Sequence, residues 1–239
     1  MQKTQRRVAL INGAGSSLGK AVAFELSRAG MALALFDGTR PSTDRGELAA
    51  AVRAIAGEVV VLGNGGGEVP VRAACEAFGR LDCLVNLLVP TPEMDPGQVY
   101  RAPLLLLSAG FAAAEALNET APGSAIVNHC FLPSAFAGTR FEDCMPAVRG
   151  AMTGITRTLC RRLGARGVTV NCIQTGLIEM PEMRAQATAK VLAQKVPVGR
   201  WGTPADVAKL ATFLATRNRY WTGQSIILDG GLTSGISGT

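Results

Sequence analysis

The sequence predicts a doubly wound α/β fold, one domain over residues 1–239, with a seven-stranded parallel sheet and helices on both faces. Short β-branched or Leu-rich runs alternate with longer helical patterns along the chain, and parallel strands need such crossovers between them. No stretch reads as an interdomain linker, and there is no internal repeat. A hydrophobic content of 48% with 18% charged residues suits one sizeable core and excludes disorder, collagen and coiled coil.

The elements follow in order. Val8 to Ile11 reads as the first strand, and a glycine-rich turn leads from it into a helix over Gly19 to Arg28. Ala32 to Phe36 is the second strand, followed by a helix over Glu47 to Ala56. The β-branched run Val59 to Leu62 is the third strand, and Gly63-Asn64-Gly65-Gly66-Gly67 reads as the loop after it. A helix over Val71 to Phe78 leads to the strand Leu84 to Leu88, and a longer helix over Leu104 to Leu117 leads to Ala125 to Asn128. Val148 to Leu163, Val168 to Ile173, Pro204 to Ala215 and Ser225 to Leu228 complete the alternation.

Charge and cysteine usage narrow the function classes. With 24 Lys and Arg against 18 Asp and Glu the net charge is +6. The arginines are scattered, and no basic stripe is interleaved with aromatics, so nucleic-acid binding is not expected. A basic surface suits solvent, or an anionic substrate or phosphate-bearing carrier. Six cysteines stand singly in apolar stretches without a C-x-x-C pair, which argues against a disulfide scaffold or a metal site. No apolar run approaches the roughly 18 residues of a membrane span, and the expected location is cytoplasmic.

Directly after the first strand comes Asn12-Gly13-Ala14-Gly15-Ser16-Ser17-Leu18-Gly19, opening a helix. Glycines there let the backbone approach a pyrophosphate at a helix N-terminus. Asp37, closing the second strand, stands where a carboxylate takes adenosine ribose hydroxyls and favours NAD over its phosphorylated form. A purely structural reading, in which the glycines make a tight turn and Asp37 caps a loop, stays open.

In the second half, Gly154-Ile155-Thr156-Arg157-Thr158-Leu159, Arg166-Gly167-Val168-Thr169-Val170-Asn171 and Gly176-Leu177-Ile178 strongly resemble the short-chain dehydrogenase/reductases. So do Gly199-Arg200-Trp201-Gly202-Thr203-Pro204 and Thr222-Gly223-Gln224 with Asp229-Gly230-Gly231. The resemblance covers essentially the whole chain and implies a single Rossmann-type domain, usually in a tetramer. It also implies a catalytic Asn, Ser, Tyr and Lys, the tyrosine exchanging a proton with the substrate oxygen as hydride moves.

Those groups are missing here. By the same alignment Met145 and Arg149 stand at the Tyr and Lys positions, Phe131 at the Ser position and Val99 at the Asn position. A count independent of register agrees: the two tyrosines are Tyr100 and Tyr220, and no lysine lies between Lys20 and Lys190. Methionine has no exchangeable proton, and an arginine side chain does not deprotonate in a protein. Ser134 falls where the family has glycine, and His129, the chain's one histidine, reads as a satisfied core imidazole.

The resemblance implies cofactor-side residues at Gly13, Ser17, Gly19, Asp37 and Asn86, in a vestigial set. Ser17 replaces a glycine, Leu87-Leu88-Val89 replaces the end of the family's Asn-Asn-Ala-Gly, Thr175 stands for a proline, and Met180 replaces the threonine that holds the nicotinamide. The expectation is that this chain binds no cofactor productively and has no catalytic residue or metal ligand of its own. NAD is expected in an intact paralogue of the same family, partnered in a hetero-oligomer, with a hydroxyacyl-CoA thioester as substrate. The long helices and the last strand, which build family tetramers, look well kept. Leu104 to Leu107 with Phe111 give one helix more apolar surface than a single buried stripe needs. A regulator that binds a nucleotide or metabolite without turnover, or a reductase with unusual catalytic residues, are the alternatives.

Overall fold

The structure is a computed structural model, describing residues 5–37, 43–54, 57–63, 67–91, 94–116, 123–137, 139–183 and 195–234. The strands are β1 (Val8–Asn12), β2 (Ala32–Phe36), β3 (Val59–Val61), β4 (Cys83–Leu87), β5 (Ala125–Phe131), β6 (Thr169–Thr175) and β7 (Ser225–Leu228). They form one sheet in the order β3-β2-β1-β4-β5-β6-β7, every neighbouring pair parallel. The helices are α1 (Ser17–Arg28), α2 (Thr43–Ala54), α3 (Val69–Phe78), α4 (Pro96–Ala116), α5 (Met145–Leu163) and α6 (Pro204–Thr216). α1 packs on α6, and α4 packs between α3 and α5. β2, β4, β5 and β6 are buried along their whole lengths, as expected of strands covered on both faces. The strand order reverses between β1 and β4, the switch point where open α/β sheets bind ligands.

Several boundaries differ from expectation, each for a physical reason. β5 continues three residues past Asn128, because His129, Cys130 and Phe131 pair with Ile173, Gln174 and Thr175 of β6. α4 begins at Pro96, eight residues before Leu104, with Pro103 inside it. The start is set by Asp95, whose Oδ1 accepts from the Gln98 backbone N–H at 3.0 Å while Gln98 Oε1 accepts from the Asp95 N–H at 2.8 Å. That reciprocal cap, with proline at the first helical position, fixes the start of the helix, and α4 accommodates Pro103 in its interior without the backbone bond that proline cannot donate. Thr203 and Asp206 cap α6 in the same way. Residues 55–56, 64–66 and Leu117, expected in a helix end, a loop and a helix end, lie outside the described residues.

At the amino ends of the strands Asp82, 1% exposed, ties the sheet together. Its carboxylate accepts from the Val8 N–H at 2.8 Å and from Arg80 through both oxygens at 2.8 and 2.6 Å. The candidate site lies at the opposite, carboxyl ends.

Candidate functional site

The turn after β1 is shaped by close backbone approach. Gly13 has φ of 88°, and a Cβ there would meet the Leu87 carbonyl oxygen at 2.6 Å. A Cβ on Gly19 would overlap the Gly13 carbonyl oxygen. Positive φ and absent space both require glycine at position 13.

Five backbone donors of this turn are already bonded within the chain. Gly13 and Ala14 N–H groups donate to the Phe36 carbonyl at 2.9 and 3.0 Å, and Ser16 N–H donates to the Gly13 carbonyl at 3.2 Å. Gly15 N–H donates to Asp37 Oδ2 at 2.9 Å, and Gly19 N–H donates to Ser16 Oγ at 2.9 Å. Asp37 is 2% exposed, so its carboxylate lies folded onto the glycine turn. Ser17 begins α1 and is half-buried.

Asn86 belongs to a buried row of amides. Asn12 pairs in register with Asn86 across β1 and β4, and Asn86 with Asn128 across β4 and β5. Asn12 Nδ2 donates to Asn86 Oδ1 at 3.5 Å, Asn86 Nδ2 to Asn128 Oδ1 at 3.0 Å, and Asn128 Nδ2 to Thr156 Oγ1 of α5 at 3.0 Å. Both buried amides thus find partners, and the row pins α5 to the sheet. Three asparagines interrupting apolar strands were visible in the sequence, but only the register shows that they meet.

Of the four positions matched to the catalytic groups, those of the tyrosine, serine and asparagine are filled by apolar side chains. Phe131 and Met145 are fully buried, as are Val99 and Met180. Phe131 packs edge-on against His129 at 4.9 Å between ring centroids and against Phe136 at 5.3 Å, and Phe136 meets Phe141 at 5.9 Å. This ladder joins residues with no periodic spacing, so nothing in the sequence announced it. Ser134 Oγ is buried without a hydrogen-bond partner among the described residues.

His129 is a core imidazole only partly satisfied. Nε2 lies 2.9 Å from Thr175 Oγ1, while Nδ1 has no partner of hydrogen-bonding geometry among the described residues. Burial pushes its pKa down to about 3, offset in part by the Leu88 backbone. A neutral imidazole in the fold and an ordinary one when unfolded make protonation favour unfolding as pH falls from 6.5 toward about 3. Over that window the wild type should lose about 1 kcal/mol per pH unit more than His129→Asn, read from urea unfolding at each pH. Equal slopes would show that His129 is not buried neutral.

Arg149, one turn after Met145, turns toward β6. Its Nε donates to Gln174 Oε1 at 2.9 Å, and Gln174 Nε2 donates to Thr153 Oγ1 at 3.1 Å. Among the described residues no His, Cys, Asp and Glu cluster could hold a metal ion, and no helix is long and apolar enough to cross a membrane.

A nucleotide-type turn at the switch point of a 3-2-1-4-5-6-7 sheet, with α5 packed along β5 and β6, defines the class, and comparison with known proteins agrees. Residues 13–233 match the family described as enoyl-(acyl carrier protein) reductase, and the chain belongs to the short-chain dehydrogenase/reductases. It is 31% identical to the short-chain reductase protein NovJ of Streptomyces niveus, over 95% of this chain and 94% of that one. It is also similar to both named subunits of the (2S)-[(R)-hydroxy(phenyl)methyl]succinyl-CoA dehydrogenase of Thauera aromatica. Identity is 31% to BbsC, over 97% of this chain and 96% of BbsC, and 29% to BbsD, over 95% and 96%. Among solved structures, a double mutant of a short-chain dehydrogenase/reductase from Serratia marcescens superposes with a TM-score of 0.80 at 25% identity, covering 97% of this chain and all of that one.

Proposed function

We propose that this chain is a non-catalytic subunit that assembles with an intact, NAD-dependent paralogue of its family and supports oxidation of a hydroxyacyl-CoA thioester by that partner. The observation that carries the reading is the catalytic corner itself: Phe131 and Met145 are sealed in the core where the family resemblance calls for a serine and a tyrosine. Neither side chain can hold or move a proton. Losing a positioned acid costs about 10² to 10⁴ in rate, before lost positioning of the substrate oxygen is added.

The subunit half of the reading has separate support. The likeness extends to two chains that are named as subunits of one (2S)-[(R)-hydroxy(phenyl)methyl]succinyl-CoA dehydrogenase. On α4, Leu104 and Leu105 are 66% and 53% exposed, large apolar side chains for a water-facing helix. On α5, Ala147, Gly150, Ala151 and Gly154 form an exposed small-residue face, with open space beyond both glycines. β7 is an edge strand, and Ile227 on it is 44% exposed.

The test is turnover by the purified chain. At high enzyme concentration, NADH formation from a panel of alcohols and hydroxyacyl thioesters should stay at the level of a buffer and host-protein control. Activity that tracks the pure chain would overturn the reading. Calorimetric titration with NAD addresses the regulator alternative. Gly13, Ala14, Gly15, Ser16 and Gly19 N–H groups are already bonded to the chain's own groups, and Ser17, Leu87 to Val89 and Met180 depart from the family's cofactor residues, so low-micromolar binding, about 8 kcal/mol, is not expected. Finding it would put a nucleotide sensor built on Gly13 and Asp37 in first place.

A further inference from the structure

We propose that Arg149 anchors an oxyanion site at the carboxyl edge of the sheet, taking the carboxylate or phosphate group of a small ligand. The guanidinium is held in a closed ring of hydrogen bonds. Arg149 Nε donates to Gln174 Oε1, Gln174 Nε2 to Thr153 Oγ1, and Thr153 Oγ1 to the Arg149 carbonyl at 3.0 Å. Gln174 is 1% exposed, so this buried amide has a defined orientation and passes it to the guanidinium.

The ring uses only Nε. Among the described residues the two terminal nitrogens of Arg149 have no hydrogen-bond partner, and no carboxylate lies within 4.0 Å. Arg80 and Arg200 differ, for their terminal nitrogens meet Asp82 and Asp206. Arg149 is only partly exposed, and a partly desolvated cation without a counter-charge favours an anion from outside. Its two outward donors match two oxygens of a carboxylate or phosphate in the bidentate geometry that arginine favours. The place fits a ligand, since Gln174 is the penultimate residue of β6 and parallel sheets bind ligands beyond their carboxyl ends. This site does not require the subunit reading.

Calorimetric titrations with sodium phosphate and with sodium succinate, ionic strength held constant with sodium chloride, test it on the protein in the assembly in which it purifies. At least one anion should bind saturably with a Kd near or below about 1 mM, equivalent to about 4 kcal/mol. Phosphate alone would point to a phosphate-bearing ligand, succinate alone to a carboxylic acid. Arg149→Gln should weaken binding at least tenfold, and Arg149→Lys should weaken it less, keeping the charge without the fork. Should the first variant fail to fold, Gln174→Met leaves the charge in place, removes its anchor and should also weaken binding tenfold. No saturable binding of either anion, or unchanged affinity in a folded Arg149→Gln or Gln174→Met variant, overturns the proposal.

Discussion

Replacing Phe131 by serine, the residue the family carries there, should destabilise the chain by about 3–5 kcal/mol. Phe131 is fully buried and touches aromatic rings on two sides, so truncation opens a cavity that His129 and Phe136 cannot both collapse into. The new hydroxyl would need a hydrogen-bond partner in the same apolar space, and an unpaired one adds to the loss. Urea unfolding followed by circular dichroism reads this directly, as a lower midpoint at unchanged slope. The variant should also gain no dehydrogenase activity, because Met145 and Arg149 still cannot exchange a proton. A loss under about 1 kcal/mol would mean that the ladder is loosely packed and that the site tolerates a return toward the family's residue.

The second large effect is expected at the proposed assembly face. Ala151→Asp puts a carboxylate in the middle of the exposed small-residue face of α5, between Gly150 and Gly154. In the free chain the position faces water, and the change should cost no more than about 0.5 kcal/mol. Buried against a partner without a counter-charge, the same carboxylate should cost several kcal/mol and separate the subunits. Coexpression with the intact paralogue that the proposal requires, size-exclusion chromatography with light scattering and a dehydrogenase assay on the same fractions test both halves. The complex should split and the partner's activity should fall, although no catalytic residue has been touched. If the wild-type chain is a well-behaved monomer, or if the partner keeps full activity and its own oligomeric state without it, the subunit reading fails.

A pair of existing contacts explains why such a face is otherwise stable. Arg162 of α5 lies over the Phe111 ring of α4 at 5.0 Å, and Arg166, in the turn after α5, donates to the Ala114 carbonyl at 3.2 Å, so the carboxyl-terminal ends of the two helices are held together. Their outer surfaces remain available while their mutual packing is secured.

The sequence by itself determined the strand-helix alternation, the seven strands and the turn that needs glycine at position 13, because these depend on local pattern: apolar runs, helical lengths and backbone freedom. It also determined which functional groups are absent, since no arrangement of this chain supplies a Tyr/Lys pair between Lys20 and Lys190. The early start of α4 was missed, the expected helix beginning at Leu104, although the capping pair Asp95 and Gln98 stands in the sequence. Only the tertiary structure decided what the remaining side chains do. Asp37 folds onto Gly15, Asn86 sits inside a row of amides, Phe131 meets the rings of His129 and Phe136, and Gln174 aims Arg149. These outcomes depend on which strands become neighbours and in what register, and that is settled by packing across the whole sheet rather than by any residue's local preference.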